Sequence, residues 1–177
     1  TRAVPDGGFI EAHTDLVKKL DYECELAVVL GKDAKDVPAG QTKDYVFGYT
    51  ILNDVSARDV QTAHKQWYFG KSLDGFTPIG PCIVTADAFA DYPPRLGIRS
   101  FVNGEKRQDS NTALQIFDID HVIAELSQGM TLKAGTIIAT GTPAGVGMGM
   151  DPPQFLKPGD VVRCEIDGIG TLTNPVK

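Results

Sequence analysis

The stretch DYECELAVVLGK, residues 21–32, decides how this chain folds, because it places two glutamates inside a run that is otherwise apolar. Read as a β-strand, the stretch alternates its side chains between two faces. Glu23 and Glu25 then share one face with Ala27 and Val29, and the opposite face is apolar. Two acids beside apolar neighbours indicate either a solvated strand end or the wall of a pocket.

Length and composition indicate one globular domain. The chain has 177 residues, of which 42% are hydrophobic and 23% are charged, which suffices for a sizeable core. A net charge of -6 without a long Lys/Arg run excludes the basic footprint of a nucleic-acid or anionic-membrane binder. No segment reads as a signal peptide or a membrane-spanning helix. We therefore expect a single domain, residues 1–177, that acts on a small molecule and has no nucleic-acid or membrane partner.

Cysteine usage indicates the compartment. Cys24, Cys82 and Cys164 each lie in an apolar run, and their spacing is not that of metal ligands. We expect reduced thiols in the core of a protein from a reducing compartment. This favours the cytoplasm, and a mitochondrial location stays open.

Short strand candidates dominate the chain. Most are rich in β-branched or aromatic residues and are bounded by Gly, Pro or Asp. The candidates are residues 22–30, 44–54, 80–86, 98–105 with a continuation at 106–110, 135–141, 160–166 and 168–174. The Asn103-Gly104 pair predicts a hairpin turn.

Two stretches predict helices. Residues 56–69 open with the capping-box pattern Ser56-x-x-Asp59, and residues 119–129 carry an apolar stripe that ends at Gly129. Because strands and helices do not alternate regularly, the pattern favours an α+β or mostly β fold over a doubly wound sheet.

A third acid joins the two glutamates. Asp54 ends the second predicted strand, and strand ends are positions where a rigid scaffold presents groups to a ligand. Together with Glu23 and Glu25, it offers three hard oxygen ligands, which suit Mg²⁺, Mn²⁺ or Ca²⁺. Any strand with Glu at alternate positions looks similar, so the spacing alone leaves the metal site a hypothesis.

Two loops have the small residues that let a ligand approach the backbone closely. These are GKSLDGFTPIGP, residues 70–81, and ATGTPAGVGMGM, residues 139–150. The second is not a dinucleotide fingerprint, because Pro152 and Pro153 follow it where a helix would have to begin.

Five stretches together resemble the fumarylacetoacetate hydrolase (FAH) family, which includes acylpyruvases, oxaloacetate decarboxylases and tautomerases, and hydroxyheptadienedioate isomerases. They are, in order, DYECELAVVLGK, NDVSARDVQ, GKSLDGFTPIGP, ATGTPAGVG and FLKPGDVVRCEIDGIGTLTN. The resemblance runs from about Leu20 to Asn174. It implies an α+β fold built round a rolled mixed β-sheet, strand-rich with few short helices. It also implies a homodimer and a divalent cation, normally Mg²⁺, with Mn²⁺ or Ca²⁺ as alternatives.

The resemblance assigns the site residue by residue. Glu23, Glu25 and Asp54 match the family's metal ligands, and Lys71 matches a lysine that binds substrate and takes part in catalysis. The two glutamates of the opening stretch are then paired on one face to hold a cation.

Two further positions match residues that bind the substrate. Gln61, in ARDVQ, and Thr142, in TGTPAG, correspond to family residues near the metal and the substrate carboxylate. Solvated surface positions for Gln61 and Lys71, and a plain turn position for Thr142, are the alternatives. Arg58 and Asp59 are interpreted as a structural charge pair and a helix cap.

The resemblance implies a Mg²⁺-dependent hydrolase that cleaves a C–C bond in a small acylpyruvate or β-diketo acid through a metal-stabilised enolate. The same enolate serves oxaloacetate decarboxylation or tautomerisation, and isomerisation of 2-hydroxyhepta-2,4-diene-1,7-dioate, which stay open as alternatives. A catalytically silent module that binds a metal and an oxo acid is the alternative from another class.

The base that activates water is not identified. Family members that cleave C–C bonds carry an upstream His/Glu pair, and the corresponding segment is absent from this sequence. His13 and Glu11 lie in EAHTDL, but their spacing and context do not match that pair. Because the chain also begins at Thr1 without a methionine, we expect that it lacks an N-terminal segment.

Overall fold

The computed structural model describes residues 2–63 and 65–177. Strands predominate in this part of the chain. They are β1 (Ala3–Val4), β2 (Leu20–Asp21), β3 (Cys24–Leu30), β4 (Val46–Asn53), β5 (Ser56–Ala57), β6 (Thr77–Thr85), β7 (Gly97–Val102), β8 (Glu105–Asn111), β9 (Ile137–Ala139), β10 (Val161–Ile166) and β11 (Gly170–Pro175). The α-helices are α1 (Arg58–Ala63), α2 (Tyr68–Lys71) and α3 (Ile119–Ser127), and short 3₁₀ turns lie at Thr42–Tyr45, Ala86–Ala88, Thr112–Leu114 and Gly147–Gly149.

Strands β2 and β5 form a separate two-stranded sheet, and two larger sheets enclose the core. The larger has the order β1-β6-β4-β3-β9, and the smaller has the order β11-β10-β7-β8. Strands β1 and β6 are parallel while the other pairs are antiparallel, so the larger sheet is mixed. Strand β3 contacts β7 and β10 of the smaller sheet, and the sheet is curled into a half-barrel. The predicted α+β fold, strand-rich with few short helices and a rolled mixed sheet, is confirmed.

Strand β3 is an interior strand of the larger sheet, which explains its composition. It pairs with β4 on one edge and β9 on the other, and all seven of its residues are buried. A strand covered on both faces reads as a nearly continuous apolar run. The glutamate at position 25 is therefore an exception that its surroundings must explain.

The prediction of one helix over residues 56–69 is wrong. Ser56 belongs to strand β5, and its hydroxyl donates to the carbonyl of Asp54 at 2.9 Å instead of capping a helix. The Asp59 carboxylate accepts from the backbone N–H of Lys18, so the capping box does not form. The helix instead divides into α1 and α2. His64, between them, lies outside the described residues, and Lys65 has a φ of 56°, which an α-helix does not accommodate.

The other local predictions hold more closely. Helix α3 begins after Asp118, whose side chain accepts from the backbone N–H of His121 at 2.8 Å, and ends two residues before Gly129. The predicted hairpin joins β7 to β8, with Asn103 and Gly104 at φ of 53° and 84°.

The prediction of three core thiols is wrong for one of them. Cys24 and Cys164 are buried, whereas Cys82 is exposed. Cys82 lies on strand β6, in an exposed stretch that comprises residues 81–83. None of the helices in residues 2–63 and 65–177 has the length and apolar character needed to cross a membrane.

Substitution of two isoleucines, one buried and one exposed, tests the position of the core. Ile51, on β4, is completely buried, and Ile116 is 93% exposed. We expect Ile51→Ala to lower the free energy of unfolding by about 2–5 kcal/mol, because it removes buried methyl groups and leaves a cavity. Ile116→Ala, the matched control, should change it by less than about 0.5 kcal/mol. Chemical denaturation measures both, and equal losses would contradict this placement of the core.

Candidate metal and substrate site

Cross-strand pairing brings the three acids together. In the β3–β4 ladder Cys24 lies opposite Asn53, so the next position on each strand places Glu23 beside Asp54. The backbone N–H of Asp54 donates to the carbonyl of Glu23 at 2.9 Å. One carboxylate oxygen from each of Glu23, Glu25 and Asp54 lies within 4.8 Å of the others. The structure thus brings the three predicted metal ligands into one cluster.

Burial makes this cluster electrostatically costly. Glu25 is only 3% exposed, and desolvation, with the charges of Asp54 and Glu23, raises its pKa to about 8. Burial also raises the pKa of Asp54, although the ammonium of Lys71 opposes that shift. Crowded carboxylates in a poorly solvated place favour binding of a proton or a cation.

Lys71 lies inside the cluster and not on the surface. Its Nζ donates to Glu23 Oε2 at 2.8 Å and to Asp54 Oδ2 at 2.7 Å, and its side chain is 18% exposed. Helix α2 ends at Lys71 and carries it to this position. The ammonium therefore contacts two of the three candidate ligands.

Arg58 belongs to the same charge network, which sequence reasoning missed. Its Nη1 lies 2.6 Å from Glu23 Oε1, and its Nε donates to Asp21 Oδ2 at 2.9 Å. Arg58 thus forms structural ion pairs, with Asp21 and Glu23. The interpretation of Asp59 as a helix cap is wrong, because its carboxylate accepts from the Lys18 N–H.

Asp21 also belongs to this charge network, and sequence reasoning missed it as well. It is completely buried, and its carboxylate accepts from Arg58 and from the backbone N–H groups of Gly147 and Met148, at 2.7 and 3.0 Å. One carboxylate thus connects helix α1 to the second Gly-rich loop. An aspartate before a strand is too common a pattern to have marked this role.

The other two predicted substrate-binding residues, Gln61 and Thr142, also lie near the acids. Gln61 is 6% exposed, and its Oε1 accepts from Arg58 Nη1 at 3.2 Å. Thr142 Oγ1 donates to the carbonyl of Cys24 at 2.9 Å, and the preceding N–H, of Gly141, donates to Glu25 Oε2 at 2.8 Å. This loop follows β9, whose pairing with β3 places it at the acids.

All six residues assigned from the sequence line one cleft with a volume of about 520 Å³. They are Glu23, Glu25, Asp54, Gln61, Lys71 and Thr142. Trp67 and Met148 add an apolar wall to the same cleft. The surface and turn alternatives are therefore not what the structure shows for Gln61, Lys71 and Thr142.

The charges in and beneath the cleft fit a divalent cation. Four carboxyl groups meet two basic side chains here. The acids are Asp21, Glu23, Glu25 and Asp54, and the bases are Arg58 and Lys71. When all are ionised, two negative charges remain, which one divalent ion would neutralise. Carboxylate oxygens are also the ligands that Mg²⁺ and Mn²⁺ prefer.

The pKa of Glu25 predicts how cation binding depends on pH. We expect Mg²⁺ affinity to rise with pH up to about 8, because the cation must displace the proton that Glu25 holds below that pH. One released proton gives up to about a tenfold gain per pH unit. Calorimetric titration at several pH values measures this.

Two isosteric variants control that titration. Glu25→Gln keeps the shape but not the charge, and it should abolish Mg²⁺ binding. Glu125→Gln, at an exposed position of α3, should bind like the wild type. An affinity that does not change with pH, or one that survives Glu25→Gln, would remove Glu25 from the ligand set.

Comparison with known proteins places this site in a family. The family described as fumarylacetoacetate (FAA) hydrolase C-terminal matches residues 2–177. Oxaloacetate tautomerase YisK from Bacillus subtilis (strain 168) is 49% identical over 170 residues, which cover 96% of this chain and 56% of that protein. The chain thus spans little more than half the length of this curated relative.

Solved structures support the same family. Fumarylacetoacetate hydrolase (EaFAH) from psychrophilic Exiguobacterium antarcticum matches with a TM-score of 0.96 and 51% identity, over 99% of this chain and 62% of that one. Fumarylpyruvate hydrolase from Pseudomonas aeruginosa, in complex with Mn²⁺ and pyruvate, matches with a TM-score of 0.85 and 30% identity, over 99% of this chain and 73% of that one. The predicted resemblance is confirmed, and the chain belongs to the fumarylacetoacetate hydrolase family.

Proposed function

We propose that this chain carries the site of a divalent-metal enzyme that interconverts the keto and enol forms of a small 2-oxo acid, with oxaloacetate as the first candidate substrate. The observation that carries the proposal is the cluster of three carboxylates within 4.8 Å, with the ammonium of Lys71 on two of them. The relative from Bacillus subtilis, named an oxaloacetate tautomerase, supports this choice of reaction.

We therefore rank tautomerisation above C–C hydrolysis as the candidate reaction, although the sequence alone favoured hydrolysis. Tautomerisation requires that a proton leave one position for an acceptor, either a basic side chain or water, and that a proton return at another. Hydrolysis additionally requires a base that activates water. The groups that line this cleft account more completely for the simpler reaction.

Glu23, Glu25 and Asp54 would hold the cation. When bound, a divalent ion supplies Lewis-acid stabilisation of the negative charge that develops on the oxygen of a 2-oxo acid. We propose Mg²⁺ as this ion, with Mn²⁺ and Ca²⁺ as alternatives. The Mn²⁺ and pyruvate in the Pseudomonas aeruginosa neighbour support a divalent metal beside a 2-oxo acid.

The chain's own polar groups bind and orient the substrate. Lys71 adds positive charge where the substrate becomes an enolate, and a charge placed in advance stabilises the transition state more than the ground state. Gln61 and Thr142 present an amide and a hydroxyl at the wall of the same cleft. Trp67 borders the cleft with a flat apolar surface, which suits a planar conjugated acid.

Hydrolysis of an acylpyruvate or β-diketo acid is the second candidate. The structural neighbours named fumarylacetoacetate hydrolase and fumarylpyruvate hydrolase favour it. Oxaloacetate decarboxylation and hydroxyheptadienedioate isomerisation use the same enolate and follow next. A single domain, a homodimer and a cytoplasmic location remain predictions from the sequence and the family.

Substitution of Lys71 tests the proposed chemistry most directly. In the full natural protein with Mg²⁺, we expect Lys71→Met to lower kcat for oxaloacetate tautomerisation by about 100- to 1000-fold, as loss of a preorganised charge does at other anionic transition states. KM should change less, because the contact strengthens as charge develops. The ultraviolet absorbance of the enol follows the reaction.

Lys32→Met is the matched control, since Lys32 is exposed and should retain the wild-type rate. A wild-type rate in Lys71→Met would remove Lys71 from catalysis. A wild-type protein that turns over acylpyruvates but not oxaloacetate would replace tautomerisation with hydrolysis.

Oxalate, a flat dianion that resembles the enolate of a 2-oxo acid, tests the role of the cation. We expect it to bind only when Mg²⁺ is present, because the cation provides the positions for a chelating ligand. Trp67 is the only tryptophan of the chain and lines the cleft, so its fluorescence reports binding. Equal oxalate affinity after chelation of the metal would contradict the mechanism, and binding without any turnover would indicate the silent binding module.

A further inference from the structure

Gln108 lies on the smaller sheet, yet its side chain binds residues that carry the candidate site. It belongs to β8 of the smaller sheet and is completely buried. Its Oε1 accepts from the backbone N–H of Cys24 at 3.2 Å. Its Nε2 donates to Thr142 Oγ1 at 2.7 Å and to the carbonyl of Pro143 at 2.8 Å. One side chain therefore links β8, strand β3 and the loop after β9.

These bonds use the whole carboxamide. Its two N–H groups and its carbonyl each have a partner, so the orientation is fixed by the network. With the amide reversed, the NH₂ group would face the N–H of Cys24 and the carbonyl oxygen would face that of Pro143. Glutamate at this position would keep the acceptor for Cys24 but lose the donor for Thr142.

The partners of Gln108 are the backbone positions that carry the site. Cys24, the first residue of β3, stands between Glu23, which precedes the strand, and Glu25. Its N–H is held by Gln108, and its carbonyl accepts from the hydroxyl of Thr142, which Gln108 also holds. The network closes a ring of hydrogen bonds between the acidic strand and the loop.

The ring also fixes the hydroxyl of Thr142. Because that hydroxyl donates to Cys24 and accepts from Gln108, its proton and one lone pair have fixed directions. The loop just before it binds Glu25 through the N–H of Gly141. A change at Gln108 would therefore reach the cleft mainly through Thr142.

We propose that Gln108 is a positioning residue that holds Thr142 against strand β3 and so sets the geometry of the substrate-binding wall. This inference rests on the proposed function, in which Thr142 belongs to the wall that binds the 2-oxo acid. The hydroxyl proton of Thr142 is committed to Cys24, so the hydroxyl acts by holding this wall in place and not by donating to the acid. Gln108 itself is completely buried, and the cleft-lining residue through which it acts is Thr142.

A double-mutant cycle tests this coupling. The variants are Gln108→Met, which has similar length but cannot form these three hydrogen bonds, Thr142→Val, which removes only the hydroxyl, and the pair together. Oxalate affinity with Mg²⁺ present, read from Trp67 fluorescence, and kcat/KM for oxaloacetate are measured on each. We expect each single change to weaken oxalate binding by about 10- to 100-fold, as loss of a supporting contact does at other sites.

The double variant separates positioning from a merely structural role. If Gln108 acts through Thr142, the oxalate affinity of the double variant should be no lower than that of whichever single variant binds oxalate less tightly. If Gln108 has a merely structural role, the fold-losses of oxalate affinity in the two single variants should multiply in the double variant. Multiplied losses, or wild-type oxalate affinity in Gln108→Met, would overturn the proposal.

Gln108→Glu provides a second test that does not depend on how well Gln108→Met folds. It preserves the acceptor for Cys24, so wild-type oxalate affinity would mean that support of Cys24 alone matters, which would overturn the coupling to Thr142. A loss of oxalate affinity of about 10- to 100-fold relative to the wild type would support it. Gln128→Met, at an exposed position after α3, is the matched control and should bind like the wild type.

The binding readout keeps the two proposals separate. Absence of oxaloacetate turnover in the wild type would refute the proposed function while the oxalate cycle still measured the coupling. Normal turnover with independent effects of the two residues would refute the role of Gln108 alone.

Discussion

An excess of negative charge in a poorly solvated cleft is the constraint on which the rest of this structure depends. The carboxylates of Glu23, Glu25 and Asp54 are too close together to be ionised without compensation. Lys71 and Arg58 supply part of it through contacts of 2.6–2.8 Å. The raised pKa of Glu25 favours retention of a proton in addition. A divalent cation would satisfy the same demand and would add the electrophile that enolate chemistry requires.

The position of β3 between β4 and β9 brings the other groups of the site to these acids. One neighbouring strand, β4, brings Asp54 to the acids, and the other, β9, brings the loop that contains Gly141 and Thr142. Because hydrogen-bonded ladders fix both registers, ligands and loop are held on regular structure. Such a scaffold controls the position of reacting groups more closely than flexible loops do.

The named relatives suggest why one arrangement supports several reactions. A tautomerase and two hydrolases are similar to this chain over nearly its whole length. Stabilisation of an enolate is common to proton transfer and to cleavage of a neighbouring C–C bond, so a shared cluster of acids is expected among them. The outcome then depends on groups that deliver a proton or activate water around that cluster.

Much of the fold and the main site residues could be predicted from local sequence. The apolar run of β3, the Asn103-Gly104 hairpin and the helix that became α3 are set by side-chain periodicity and turn preference, which act over a few residues. The acids and Lys71 could be assigned because their motifs resemble those of a family. Local pattern failed at residues 56–69, where the backbone of Ser56 paired with strand β2 and the carboxylate of Asp59 bound the backbone N–H of Lys18.

The tertiary structure alone decided which polar residues support the site. Gln108 bonds to Cys24 across 84 positions of sequence, and Asp21 bonds to Gly147 across 126. Before folding, each is an ordinary polar residue in or beside a strand, and no periodicity distinguishes it from a solvated one. Sequence by itself thus determined which groups could bind a cation and a 2-oxo acid. Only the pairing of distant strands decided that the acids meet and that buried amides and carboxylates hold them, because a buried polar group is stable only where folding provides its partner.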